Sequence, residues 1–251
     1  MKDWVEIRAW RKVKRAELVA RREASGRAQR QSWNERITAL LLDGFPVSRG
    51  TVIAYCWPFK DEFDARFAIR RWRERGAIAA LPEVTAKAQP LQFRKWWPGA
   101  PMTPGVYDIP VPAATEVLAP DAALVPMNGF DEQCYRLGYG GGYFDRTLMA
   151  CNRRLLAIGV AYEMLRLPTI YPQTHDIPMD FVVTEAAVYA SDNGKLMALT
   201  AAQSRERAAC IMQTRRLPRA AALSEEQGQF SSPPCYAGEF PGYFGDGGAR
   251  D

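Results

Sequence analysis

The chain has 251 residues, 47% of them hydrophobic and 24% charged, with a formal net charge of +5. That length allows one large α/β domain or two small ones with ample core. No apolar run approaches the roughly 20 residues of a membrane span, and the charged N-terminus lacks a signal peptide's apolar stretch. The five cysteines, at 56, 134, 151, 210 and 235, are scattered without a CxxC pair, so neither zinc nor a disulfide framework is expected. A reducing cytoplasm is the expected setting, and the basic balance suits anionic ligands.

Residues 4–24 read as a helix, with few breakers before Gly26. The first 30 residues hold ten Lys and Arg against four Asp and Glu. A solvated basic helix is the plain reading, and nucleic-acid binding is a second. Arg11 and Arg15 are spaced i, i+4 and share a face, where two cations can clamp a polyphosphate. Residues 31–42 are expected to form a second helix, packed through Trp33, Ile37, Leu40 and Leu41.

Thr51–Trp57 is a mostly apolar run rich in β-branched and aromatic residues, as a buried parallel strand requires, and Pro58 ends it. A turn through Lys60, Asp61 and Glu62 leads to a helix from about Asp64 to Arg75. Functional residues of open α/β sheets collect beyond the carboxyl ends of strands, where Glu62 lies. As a plain alternative, Glu62 is an acid at a helix N-terminus. Gly76–Leu81 predicts the next strand, Leu91–Trp97 an antiparallel one, and Ala122–Val125 another, stopped by Pro126.

The most informative stretch follows, Arg136 to Arg146, which reads Arg-Leu-Gly-Tyr-Gly-Gly-Gly-Tyr-Phe-Asp-Arg. Glycines let a backbone approach a ligand, and their free N–H groups form an anion-binding concavity. A helix starting near Tyr143 would point its N-terminus at the same place. Arg136 suits phosphate oxygens and Asp145 suits a divalent cation. No Gly-Lys-Ser/Thr follows, so the P-loop pattern is not met, and the spacing does not match the dinucleotide fingerprint. A helix over 143–151, a strand over Arg154–Tyr162 and the run Thr174 to Glu185 complete the body.

This eleven-residue string resembles the signature of the 5-formyltetrahydrofolate cyclo-ligase family, also called 5,10-methenyltetrahydrofolate synthetases. Further matches are Pro126, Phe130 and Asp131 before the loop, Ile109 and Pro110 within Gly105–Pro112, and Asp180 running into Val-Val-Thr-Glu. The resemblance covers roughly residues 4–192. It implies an α/β fold of three layers, a mostly parallel central sheet flanked by helices, of the sugar-isomerase-like variant.

The resemblance also implies an activity. ATP and Mg²⁺ would drive cyclisation of 5-formyltetrahydrofolate to 5,10-methenyltetrahydrofolate through a phosphorylated formyl oxygen. Arg136, Tyr143 and Asp145 would be catalytic. ATP would lie on Arg11, Arg15, Arg136, Leu137, Gly138, Tyr139, Gly140, Gly141, Gly142, Tyr143 and Phe144. A one-residue slip would put Lys14 in Arg15's place. Trp57, Glu62, Tyr139 and Tyr143 would face the folate, and Asp145 with Asp180 would hold the metal. Some members carry a lysine within the loop where this chain has Gly141, so Arg136, Arg146 or the N-terminal helix must supply that charge.

Residues 1–192 are thus expected to be the catalytic domain and 193–251 a C-terminal extension. The extension would begin with a helix over Lys195–Arg207 and end in a flexible Gly/Pro-rich tail. Phe230, Tyr236, Phe240, Tyr243 and Phe244 suit a tail that packs on the body or docks a partner. The lone His175 is expected to be structural. Neither a membrane nor nucleic acid is an expected partner. Two rivals are a non-catalytic nucleotide- or RNA-binding protein on the same fold and a sugar-phosphate isomerase, which needs no ATP.

Overall fold

The computed structural model describes residues 2–106, 109–151 and 155–214. Helix α1 (Trp4–Glu23) starts at a capping box: the Asp3 carboxylate accepts Glu6 N–H, and the Glu6 carboxylate accepts Asp3 N–H. It buries Ile7, Leu18 and Val19 and, against the usual rule for charges, Arg11 and Arg22. Helix α2 runs over Arg27–Gly44, longer at both ends than the expected 31–42.

The sheet strands β1 (Val52–Ala54) and β3 (Gln92–Trp96) lie within the expected runs, while β2 (Ile78–Glu83) and β6 (Ala122–Pro126) overlap theirs and run past the expected ends, β2 through Pro82 to Glu83 and β6 to Pro126. Helix α3 (Arg66–Glu74) joins β1 to β2. Strands β4 (Met102–Pro104) and β5 (Pro110–Pro112) pair as a separate two-stranded ribbon. Strand β1 is shorter than the run 51–57, because the chain leaves the ladder before Pro58 and turns through Lys60 and Asp61 at φ 49° and 60°. A short hairpin, β7 (Gly129–Asp131) and β8 (Arg136–Leu137), leads into the glycine loop and helix α4 (Tyr143–Ala150).

Beyond α4 come β9 (Leu156–Val160), a 3-10 turn (Glu163–Leu165) and β10 (Arg166–Leu167), which pairs with β7. Then follow β11 (Phe181–Val183), β12 (Val188–Asp192), β13 (Lys195–Leu199) and α5 (Ala201–Thr214). The main sheet has the order β13-β12-β11-β9-β6-β1-β2-β3. Its inner strands β11, β9, β6, β1 and β2 run parallel to one another, while β3 at one end and β12 and β13 at the other are added antiparallel. All five residues of β9 are buried, as a strand covered on both faces must be. Leu18 of α1, Ile37 and Leu41 of α2, Trp72 of α3 and Ala208 of α5 join one core with the sheet. The expected mostly parallel sheet flanked by helices is present.

One expectation is corrected. Lys195–Leu199 is not the start of a helix but an edge strand, paired with β12 over five residues. The cause is the Asn193-Gly194 turn, with φ 47° and 77°, which folds the chain back as a two-residue hairpin. The helix begins only at Ala201. Ser204 and Ala208 of α5 are buried, and Ser204 lies against Gly44 at the end of α2. The tail aromatics, Cys235 and the first residue of the expected strand 154–162 lie outside the described residues. No described helix is long and apolar enough to cross a membrane.

Candidate active site

The glycine loop leaves β8 and closes on α4, whose first residue is Tyr143, as expected. Gly140 (φ 94°) and Gly142 (φ 61°) hold backbone conformations that side chains disfavour. A Cβ at Gly140 would lie 3.4 Å from the Arg15 guanidinium, and one at Gly142 would lie 2.8 Å from Arg146 Nη1. The N-cap residue of α4, Gly142, provides no side-chain cap, and the helix start points its dipole at the loop. Arg15 Nε donates to Gly138 O at 2.8 Å and Arg146 Nη2 to Gly141 O at 2.5 Å. Lys14 instead pairs with Glu17 on the exposed side of α1. Arg15, not Lys14, therefore faces the loop.

Arg11 shares Arg15's helix face but serves another segment. Its Nε and Nη2 donate to the carbonyls of Ile170 and Tyr171, and it grips Asp176 with Nη2 at 2.6 Å from Oδ2. With side chains only 7% and 11% exposed, this is a buried ion pair. Arg136 Nη2 donates to Asp145 Oδ2 at 2.6 Å, and Asp145 Oδ1 accepts Ile177 N–H at 3.1 Å. Arg136 also stacks over Phe144. Tyr143 Oη is buried, and its ring lies under the Arg146 guanidinium at 5.1 Å. His175 packs edge-on against Trp4.

Asp145 lies in the first turn of α4 and keeps lone pairs beyond those taken by Arg136 and Ile177. As a hard oxygen donor it fits Mg²⁺. Its expected partner, Asp180, accepts Ala157 N–H at the amino end of β9. The hydrogen bond of Asp145 runs instead to the peptide that joins Asp176 to Ile177. Among the described residues, no group of three or more His, Cys, Asp or Glu is placed to hold a metal. A site here would rest on two carboxylates and phosphate oxygens.

The second half of the site lies beyond the carboxyl ends of β1 and β6. Glu62 is buried, at 7% exposure. Its Oε2 accepts Phe59 N–H at 3.0 Å and its Oε1 accepts the Tyr139 hydroxyl at 2.8 Å. Tyr139 comes from the glycine loop, so this bond joins the two halves. Burial pushes the Glu62 carboxyl up, against the opposing pull of Arg22 and the two hydrogen bonds. Burial likewise raises the Tyr139 phenol and keeps it a protonated donor. Trp57 is half-buried. Its indole donates to Pro110 O at 2.9 Å, and it packs edge-on against Tyr55 and Trp96.

A family model described as the 5-formyltetrahydrofolate cyclo-ligase family matches residues 7–185. The chain belongs to that family. It is 30% identical to the 5-formyltetrahydrofolate cyclo-ligase of Mycolicibacterium smegmatis over 178 residues, 68% of this chain and 91% of the relative. The match to the cyclo-ligase of Mycoplasma pneumoniae is 35% identical but short, spanning 26% of this chain and 39% of that protein. The solved structure of Aquifex aeolicus 5,10-methenyltetrahydrofolate synthetase superposes with a TM-score of 0.61 at 26% identity, covering 75% of this chain and 96% of that one. The cyclo-ligase family is a family of ligases.

In this cyclo-ligase-family chain the hydrogen bonds link Arg15, the glycine loop, Tyr139 and Glu62. A second set links Arg136, Asp145 and residues 170–177. Arg22, Asn128 and Asp176 also belong to these two networks and were not singled out from the sequence. Arg22 is 1% exposed and donates to Lys60 O, Asn128 Oδ1 and Tyr139 Oη at 2.8, 2.9 and 3.1 Å. A signal for it was present: Arg22 lies eleven residues from Arg11, three helical turns along the same stripe.

Proposed function

We propose that this chain catalyses the ATP-dependent cyclisation of 5-formyltetrahydrofolate to 5,10-methenyltetrahydrofolate. The observation that carries this reading is the Tyr139–Glu62 hydrogen bond, which makes the phosphate-type loop and the carboxylate beyond β1 a single site. ATP phosphates would lie on the N–H groups of Gly138, Gly140, Gly141 and Gly142 and on the start of α4. Leu137, Tyr139, Tyr143 and Phe144 would form the walls. Arg15 and Arg146, against the loop, supply the charge that a loop lysine provides elsewhere in the family. Arg11 would support nucleotide binding by holding residues 170–176 in place.

The formyl group on N5 is an amide, so its oxygen is a poor leaving group. Its oxygen attacks the γ-phosphorus of ATP, and the bond from that phosphorus to the β-phosphate's bridging oxygen breaks, releasing ADP. The N10 lone pair then attacks the formyl carbon, the carbon–oxygen bond breaks, and phosphate departs. The N10 proton passes to phosphate or water. The task of the protein is positioning and charge neutralisation. Arg136 and Tyr143 would meet the transferring phosphoryl group. Asp145 would hold Mg²⁺, with Asp180 or Asp176 as second carboxylate, and the ion would supply neutralisation of phosphate charge. Glu62 would accept the N–H edge of the pterin, and Trp57 would pack on its ring.

The test is absorbance in the methenyl-folate band with purified protein, 5-formyltetrahydrofolate and Mg²⁺. A rise that requires ATP and is lost in Asp145→Ala supports the reading. Folded protein that gives no rise returns the chain to the nucleotide-binding alternative, and turnover without ATP to the isomerase one.

A further inference from the structure

Three arginines share one stripe of α1, and each serves a different part of the site. Arg11 holds residues 170–176, Arg15 holds the glycine loop, and Arg22 reaches the carboxyl end of the sheet. Arg22 is the innermost. A guanidinium has only donors, so its bond to Tyr139 makes the phenol oxygen an acceptor and leaves the phenol hydrogen for Glu62. The same guanidinium holds Lys60 O, within the left-handed turn that delivers Glu62. It also fixes the orientation of the Asn128 amide by donating to Oδ1. Asn128 is fully buried, and its Nδ2 has no hydrogen-bond partner among the described residues. Asn128 and the Glu62–Tyr139 pair are thus held by one guanidinium, and the unpartnered Nδ2 is a buried donor open to a polar ligand edge.

We propose that Arg22 is a positioning residue that sets the Glu62–Tyr139 pair for the folate and so couples the folate half of the site to the glycine loop. The inference rests on the cyclo-ligase reading and deepens it. Arg22 touches neither reactant; it acts through Glu62, Tyr139 and Asn128. The charged and titratable groups around Glu62 are Arg22 from α1, Tyr139 from the loop and Cys56 after β1. The Asp61–Arg30 pair lies in the adjoining turn. Arg22 is the cation among them that opposes the effect of burial on Glu62. Without it, Glu62 holds its proton to higher pH and offers a ligand N–H a weaker acceptor.

The test is steady-state kinetics of wild type, Arg22→Met and Arg22→Lys across pH, with thermal melting as a folding control. For Arg22→Met the expected result is a KM for 5-formyltetrahydrofolate raised about tenfold or more, with kcat and the KM for ATP changed far less. The acid limb of kcat/KM should move to higher pH, and Arg22→Lys should return that limb toward wild type while KM stays raised. Folate KM and acid limb both unchanged in folded Arg22→Met overturn the inference and leave the cyclo-ligase reading intact. If Arg22→Met does not fold, Arg22→Lys decides, and a wild-type folate KM there overturns the inference. A folded wild-type enzyme without ATP-dependent turnover overturns both.

Discussion

Arg11 and Asp176 form a buried pair 2.6 Å apart that ties the first helix to a segment 165 residues further along the chain. The family resemblance places Arg11 on ATP, yet its guanidinium is spent on Asp176 and on two backbone carbonyls. Removing one partner of such a pair strands the other charge away from water, at a cost of about 3–5 kcal/mol. Arg11→Met should therefore lower the melting temperature markedly, with any loss of ATP affinity accompanied by that loss of stability. A variant with wild-type melting and a raised ATP KM would return Arg11 to the phosphates.

Gly140 carries a separate prediction. At φ 94° a Cβ is strained, and at this site it also meets the Arg15 guanidinium at 3.4 Å. Gly140→Ala should raise the KM for ATP by about tenfold or more, the cost of strain and a displaced cation together being about 1–3 kcal/mol. The folate KM should move less. Arg15→Ala should show the same ordering, because Arg15 Nε holds Gly138 O. Initial rates at varied ATP would check both.

Glu62 links stability to pH. Its carboxyl is raised above the ordinary 4.5, first by burial, so the folded state keeps its proton longer than the unfolded chain does. The contribution is present below the unfolded value and is lost as pH rises through the folded one. Glu62→Gln should thus gain stability relative to wild type as pH rises toward neutrality, measured by denaturant midpoints. The same variant should lose about 10–100-fold in kcat/KM for the folate, because an amide NH2 takes the place of one of the two oxygens that accept Phe59 N–H and the Tyr139 hydroxyl. A stability difference that does not change with pH would contradict the burial argument.

The parallel strands β6 and β9 were legible because each is a short, unbroken apolar run, β6 lying between Asp121 and Pro126. The loop and α4 were legible because the glycines and the start of a helix are adjacent in sequence. Asn128 was not, and Arg22 only through its spacing from Arg11, because what makes them matter is burial against residues 38 and 106 positions away. Composition could not separate Arg22, fully buried, from the solvated arginines of the same helix. Lys195–Leu199 failed differently. Lys, Leu, Met and Ala favour helix, but pairing with β12 overrides propensity, and the Asn-Gly turn before them was the better signal.

That edge strand yields a prediction on domain limits. A chain ending at residue 192 loses β13, exposing the edge of β12, and also loses Ala208 and Leu196 from the core. It should aggregate or melt far below the full chain. Size-exclusion profiles and thermal melts of the two would check this. A folded, active 1–192 chain would show that β13 and α5 are accessory.

The proposed metal ligands can be separated by substitution. Asp145 sits in the first turn of α4 and is bonded to Arg136 and to the N–H that follows Asp176. Asp180 instead braces Ala157 at the amino end of β9. If Asp145 and Asp176 are the metal pair, Asp145→Asn and Asp176→Asn should each raise the Mg²⁺ concentration needed for half-maximal turnover, by about tenfold or more. Asp180→Asn should then chiefly lower the melting temperature. Asp176→Asn also frees Arg11, so its melting curve must be read beside its Mg²⁺ titration. A shifted Mg²⁺ dependence in Asp180→Asn, with Asp176→Asn unchanged, would restore Asp180 as the second ligand.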